Sequence, residues 1–128
     1  EDGSLAALMS HTWPANAIEV HTEEKVPVGE WVHLVMTYDG SSKAAGLQIY
    51  MNGKRLGRKV LTDHLKQSIL AYGKEKRGIG HSGNLQIGKR GTNFAETLDH
   101  SLVDEIRVFD RKLTAIETQM LAGIQDPI

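Results

Sequence analysis

The chain of 128 residues contains no cysteine. This absence excludes disulfide frameworks, cysteine zinc sites and thiol nucleophiles, but it leaves the cellular compartment open. No apolar run approaches the roughly 18 residues that a membrane-spanning helix needs, and the first residues, EDGSLAALMS, lack the basic start of a signal peptide. We therefore expect no insertion into a membrane, and we expect the chain to be an excised or processed piece of a larger protein.

An excess of one charge is also lacking, since 15 basic residues stand against 16 acidic ones. This balance gives no electrostatic reason to expect nucleic acid or an anionic membrane as a partner. Hydrophobic residues make up 40% of the chain and charged residues 24%, as in ordinary globular proteins. The length is typical of a single domain, which we predict over residues 1–128.

Alternation of apolar and polar residues predicts several strands. The segments are SLAALMSH from Ser4, which would equally suit a helix, NAIEVHT from Asn16, EWVHLVMTYDG from Glu30, GLQIYM from Gly46, NLQIG from Asn84 and SLVDEIRVFDR from Ser101. Both faces of the segment from Glu30 are apolar, which predicts a central strand.

Local turn and cap signals divide these segments. Asn52-Gly53 is a strong hairpin signal, because both central positions of a type I′ turn need positive φ, and a second strand should return from Lys54 towards Leu61. Thr114 and Glu117 form a capping box that predicts a helix ending at Gly123. The stretch from His64 to Ser82 is predicted to be a long exposed loop. About seven strands and one terminal helix favour an antiparallel β-sandwich.

A glycine motif raises the possibility of a nucleotide site. RGIGHSGNLQIG contains G-x-G-x-x-G at Gly78, Gly80 and Gly83, and Asp99 follows at about the distance of a ribose-binding acid. Such a loop needs a buried strand before it and a helix after it. Here a charged stretch precedes the glycines and a strand pattern follows them, so we predict that they let a loop turn into a strand.

The histidines and one aspartate are the candidates for metal binding. Six histidines occur, at His11, His21, His33, His64, His81 and His100. None of them has the spacing of a helical zinc motif, so we interpret them as scattered surface or strand residues, with His33 a hydrogen-bonded core residue before a ligand. Asp104 shares a strand face with apolar residues, and a buried carboxylate must be hydrogen-bonded, paired or bound to a cation such as calcium. Both alternatives stay open for Asp104.

Catalytic carboxylates are poorly arranged in the sequence. Retaining glycoside hydrolases on sandwich folds present alternate acids on one strand at a set separation. In VDEIR, Asp104 and Glu105 would point to opposite faces of a strand, and Arg107 stands where a further acid would be needed. No nucleophile elbow or phosphate-binding loop occurs either. We therefore predict that the chain is not an enzyme.

Three segments together carry a resemblance to a known family. GEWVHLVMTYDGSSKAAGLQIYMNGK, NLQIGKRG and SLVDEIRVFDRKLTAIE resemble the laminin-G-like, concanavalin A-like lectin-glucanase domains over residues 17–123. This resemblance implies an all-β antiparallel jelly-roll sandwich with one short C-terminal helix. It also implies that one or two N-terminal strands are missing. A narrower similarity, from Asn16 to Gly53, is to the laminin-G-like segment of large exported planctomycete proteins that carry cytochrome-c-type domains.

The resemblance has consequences for cofactors, partners and location. It implies an extracytoplasmic protein, either periplasmic or secreted, and a calcium ion held at the sandwich rim, for which Asp104 matches the position of the family acid. Missing strands would leave a sheet edge open, and an open edge pairs readily with another chain. We therefore expect a dimer formed through a sheet edge, or completion of the sheet by other parts of the parent protein.

The predicted function is a non-catalytic binding or adhesion module that recognises a carbohydrate or a protein. Loops on rigid sandwiches commonly carry recognition. The candidate ligand-binding residues lie in the loop from Gly73 to Arg90 and beside it: Tyr72, Lys74, Lys76, Arg77 and His81. Two alternatives remain, an architectural domain without a ligand and a glycoside hydrolase on the same fold.

Overall fold

The computed structural model of the chain describes residues 3–69, 87, 88, 98 and 100–125. The chain divides into two compact units, one formed by Glu1–Ile69 with Phe109–Ile128 and the other by Leu70–Val108. All of the described strands and helices belong to the first unit. In the described ranges, no helix has the length and apolar character needed to cross a membrane.

The first sheet contains three antiparallel strands in the order β1-β2-β6. They span Ser4–Thr12 (β1), Asn16–Lys25 (β2) and Arg58–Asp63 (β6). The segment from Ser4 is therefore a strand and not a helix. Its alternate residues Ala7 and Met9 lie opposite Val20 and Ile18 of β2, so the apolar sets of two neighbouring strands meet on one face.

The second sheet also contains three antiparallel strands, in the order β3-β4-β5. They span Leu34–Thr37 (β3), Gln48–Met51 (β4) and Lys54–Arg55 (β5). The predicted hairpin is confirmed, because Asn52 and Gly53 connect β4 to β5 with φ of 50° and 77°. The prediction that the segment from Glu30 is central is wrong for the described sheet, in which β4 is central and β3 lies at the edge. Apolar residues on both faces of a strand indicate that other elements cover the strand from above and below. They do not indicate which strands lie beside it in the sheet.

The chain crosses from one sheet to the other between Arg55 and Arg58. The Leu56 N–H still bonds the Ile49 carbonyl at 2.9 Å, whereas the Gly57 carbonyl accepts from the Glu23 N–H of β2 at 3.1 Å. The predicted return strand from Lys54 towards Leu61 is therefore divided into two strands in different sheets.

A short 3₁₀ helix, Ala44–Gly46, leads into β4 and is held by two side chains of β6. Asp63 Oδ1 accepts the N–H of Ala44 at 2.7 Å. The Arg58 guanidinium donates to the carbonyls of Ala44, Leu47 and Ala45. Burial, and secondarily the charge of Arg55, lowers the pKa of Arg58 from its ordinary value. The two side chains thus satisfy main-chain groups at both ends of the turn.

Both sheets contribute to one hydrophobic core. Its buried members come from β1, β2, the 3₁₀ helix, β4 and the segments next to them: Ala7, Ile18, Val20, Ala44, Leu47, Ile49, Leu56 and Leu65. Two antiparallel sheets that share a core form a β-sandwich, as predicted.

The predicted C-terminal helix is confirmed as α1, Ala115–Leu121. Thr114 Oγ1 accepts the N–H of Glu117, and the Glu117 carboxylate accepts the N–H of Thr114, which completes the capping box. Gly123, with φ of 81°, follows the helix. A Cβ on Gly53 would lie 3.1 Å from Gln119 Cα, so the β4–β5 turn lies directly against α1.

The predicted strand from Ser101 is wrong. Residues 101–109 have no regular secondary structure, and all are exposed, including Leu102 at 80%. Alternation makes a strand only where a neighbouring strand supplies main-chain partners, and no described strand pairs with this segment. Of the predicted strand NLQIG, only Ile87 and Gly88 lie within the described residues, where they form a bend.

Candidate functional site

The candidate ligand-binding residues fall outside the part of the chain that the structure describes. This holds for all five of them, Tyr72, Lys74, Lys76, Arg77 and His81, and also for the glycine motif and Asp99. Their roles therefore stay predictions.

Asp104 can be placed, and it is exposed. The expectation that its carboxylate points into the core is wrong, because the strand that would have turned it inward does not form. Asp104 Oδ1 accepts the N–H of Glu105 at 2.8 Å, and Glu105 has φ of 52°. The Glu105 carboxylate pairs with Arg107 at 2.8 Å. Both acids thus have local partners at the surface.

The described residues contain no cluster of side chains suited to bind calcium. No group of three or more His, Asp or Glu side chains in these ranges could hold a metal ion. One oxygen of Asp104 is already engaged by Glu105, and the carboxylate is exposed. A calcium ion at Asp104 therefore stays a prediction.

His33 is only half-buried, and one of its two ring nitrogens has no hydrogen-bond partner among the described residues. Its main chain pairs with Asn52, since the His33 N–H donates to Asn52 Oδ1 and the Asn52 N–H donates to the His33 carbonyl, both at 2.8 Å. The buried ring atom Nδ1 has no partner among the described residues. The interpretation as a fully hydrogen-bonded core histidine therefore holds for the main chain but not for the ring.

Thr37 and Gln48 form a buried polar pair that the sequence did not indicate. They lie directly opposite each other on β3 and β4, and both are more than nine-tenths buried. Gln48 Nε2 donates to the Ala45 carbonyl at 2.7 Å, but Gln48 Oε1 and Thr37 Oγ1 have no partner in the described part. Two unpaired buried oxygens side by side are costly for a fold.

The two tryptophans are exposed, which is unusual for so large a side chain. Trp13 lies in the turn between β1 and β2 and is 52% exposed, and Trp31 precedes β3 and is 66% exposed. Exposed aromatic residues are enriched at recognition surfaces. Trp13, at the tip of a hairpin, is a binding candidate that the sequence reasoning missed.

The outer edge of β3 is the other exposed feature. Leu34 and Met36 are 43% and 58% exposed, although Met36 lies opposite the buried core residue Ile49. In the described ranges no strand pairs with this edge. Among the described residues, the core face of the second sheet is therefore only partly covered at β3, and we call Leu34–Thr37 the open edge.

The arrangement of two antiparallel sheets around one core defines an antiparallel β-sandwich. The sequence model of the laminin G family, described as the concanavalin A-like lectin/glucanases superfamily, matches residues 1–119, and the chain belongs to this family. No curated protein matches the chain.

One solved structure gives a fold-level comparison. It is the S-layer domain-containing protein (residues 221–444) from Clostridium thermocellum, with a TM-score of 0.50 and 19% sequence identity. The alignment covers 95% of this chain but 64% of that one. The chain thus spans less than two thirds of its structural neighbour, and the likeness concerns the fold alone.

Proposed function

We propose that the chain is a non-catalytic binding or adhesion module of an extracytoplasmic protein. Membership of the laminin G family over residues 1–119 carries this proposal, because the family's sandwich commonly presents recognition loops on a rigid support. Fold alone does not decide function, so the ligand has to be argued from exposed chemistry. The proposed ligand is a glycan or a protein.

The predicted ligand-binding loop is basic. Lys74, Lys76 and Arg77 lie within four residues of one another and are bracketed by Tyr72 and His81. Such a cluster favours an acidic or sulfated partner, because guanidinium and ammonium groups pair with sulfate and carboxylate. Trp13, in the first unit, is a separate candidate whose exposed ring could stack on a sugar ring. The basic loop is easier to test than Trp13, because binding that depends on charge weakens as the salt concentration rises.

A glycan array that includes sulfated polysaccharides tests this proposal. We expect binding that weakens with salt and that the double variant Lys76→Ala, Arg77→Ala reduces strongly. The matched control is Lys54→Ala, Arg55→Ala, which removes the same two charges from the exposed strand β5. Equal losses in both double variants, or no binding to any glycan or candidate protein, would reject the loop and favour an architectural domain.

The non-catalytic part of the proposal is supported by the acids that the structure places. Glycoside hydrolysis needs two carboxyl groups on either side of a glycosidic bond, whereas Asp104 bonds the Glu105 main chain and Glu105 pairs with Arg107. New reducing ends from a polysaccharide, lost in Asp104→Asn or Glu105→Gln, would restore the hydrolase alternative.

We also propose that the chain is one module of a larger exported protein with cytochrome-c-type domains. The support is the resemblance of the segment from Asn16 to Gly53 to planctomycete proteins of that type. The sequence on either side of the chain tests this proposal. A C-x-x-C-H haem-attachment motif there is the expected result, and flanking domains of another kind would contradict it.

A further inference from the structure

The four outer edges of the two described sheets are not equally protected. Natural sheets block pairing with other chains by short edge strands, charges, prolines or irregular register. β5 has only two residues, Lys54 and Arg55. β6 begins with Arg58-Lys59, and its pairing with β2 shifts register once. β1 has register shifts near both of its ends. Each of these three edges therefore carries a feature that discourages pairing.

The open edge of β3 carries no such feature. Leu34–Thr37 has the sequence LVMT, with no charge and no proline, and its register with β4 is continuous. Its exposed side chains, Leu34 and Met36, are aliphatic. Met36 faces the same side of the sheet as Ile49, so pairing at this edge would extend the existing core.

The main chain of β3 presents a regular set of groups that no described strand pairs with. The Asn52 N–H bonds the His33 carbonyl at 2.8 Å, which places His33, and alternate residues after it, in hydrogen-bonded positions facing β4. The intervening residues Leu34 and Met36 therefore direct their N–H and C=O groups away from β4. These groups lie symmetrically about Val35.

We propose that the open edge pairs with the same edge of a second copy of the chain, antiparallel and about a twofold axis at Val35. Leu34 then lies opposite Met36 of the partner subunit, and each of these residues both donates and accepts a main-chain hydrogen bond. A contact in which one patch meets itself closes at two copies. The second sheets of two chains become one continuous six-stranded sheet, and this association is independent of any glycan ligand.

The first test is the oligomeric state of the intact chain across a dilution series, by sedimentation or light scattering. Met36→Pro removes an outward N–H and leaves the bonds to β4 in place, as proline is tolerated on the free side of an edge strand. We expect it to weaken dimerisation roughly tenfold or more, since two symmetry-related hydrogen bonds are lost. Met36→Lys, which keeps the backbone and adds like charges across the axis, should have the same effect. Val60→Lys, on the similarly exposed Val60 of β6, should leave the dimer intact.

The second test uses the absence of cysteine from the chain. In the proposed register the two Val35 residues form a non-hydrogen-bonded pair, with Cα atoms about 4.5 Å apart, which a disulfide can bridge. Val35→Cys should therefore form a covalent dimer under mild oxidation, whereas Val60→Cys should not. A chain that is monomeric at all concentrations overturns the proposal. A dimer that survives Met36→Lys, and whose Val35→Cys variant stays reduced, overturns it as well.

Discussion

The apolar residues of strands β2 and β3 differ greatly in burial. β2 lies between β1 and β6, and Ile18 and Val20 are fully buried. β3 has a described neighbour on one side, and Leu34 and Met36 remain about half exposed. The difference shows that a strand is buried by the elements that flank and cover it, and that its own composition does not decide the outcome.

The largest expected effect is from Ile18→Ala in β2. It should lower the free energy of unfolding by about 2–5 kcal/mol, because a buried side chain is replaced by a cavity. Met36→Ala in β3 should cost less than about 1 kcal/mol, since half of its surface already contacts water. Chemical denaturation of dilute protein measures both values. Similar losses of unfolding free energy for Ile18→Ala and Met36→Ala would contradict the difference in burial between β2 and β3.

The second prediction concerns β6, which gives β2 its second neighbour. Arg58→Met keeps the aliphatic stem but removes the guanidinium hydrogen bonds to the carbonyls of Ala44, Ala45 and Leu47. We expect a loss of about 1.5–3 kcal/mol, the usual range for hydrogen bonds to a charged group. The control Lys59→Met removes the same charge from the adjacent, exposed position and should change stability by less than about 0.5 kcal/mol.

The third prediction concerns α1, which contacts the turn at the end of β4. Hydrogen bonds, from Arg111 first and then from Thr114, lower the pKa of Glu117 from 4.5 to about 2. A carboxylate with a lowered folded-state pKa stabilises the fold above its unfolded pKa, and this stabilisation is lost as the pH falls. The helix should therefore weaken between pH 4.5 and about 2.

The variant Glu117→Gln isolates this effect from the other acids. The wild-type protein should lose more stability than Glu117→Gln over the same pH interval, as followed by far-ultraviolet circular dichroism. Parallel pH curves for the two proteins would show that the capping box does not depend on the charge of Glu117.

The smallest expected effect is that of Thr37→Val in β3, which is compared with the same substitution at Thr22 in β2. Thr22 and Thr37 are both buried. Thr22 Oγ1 accepts from the Leu5 N–H and donates to the Glu24 carbonyl, both at 2.8 Å, whereas Thr37 Oγ1 has no partner in the described ranges. Thr22→Val should cost about 1–3 kcal/mol, but Thr37→Val should be neutral or slightly stabilising. A clear cost at Thr37 would mean that its hydroxyl is hydrogen-bonded in solution.

Features that depend on neighbouring residues could be predicted from the sequence. The Asn52-Gly53 turn needs positive φ at two successive positions, and the Thr114–Glu117 capping box closes within four residues. The alternation in β2 and β4 also identified strands correctly, because other strands were available to pair with them.

Features that depend on distant residues could not be predicted in this way. The same alternation led to an inward Asp104, which is instead exposed on a segment with no described strand beside it. Nothing local marks β3 as an edge, or places Thr37 opposite Gln48. These arrangements follow from how segments far apart in sequence come together.

The crossing of the chain at Leu56 and Gly57 bears on how the protein unfolds. The ten residues from Lys54 to Asp63 supply a strand to each sheet, and the interval between the strands bonds to both β4 and β2. Separation of one sheet would therefore also break hydrogen bonds of the other sheet. We therefore expect the two layers to melt in a single cooperative transition, with the amide protons of β2 and β4 exchanging through the same global opening.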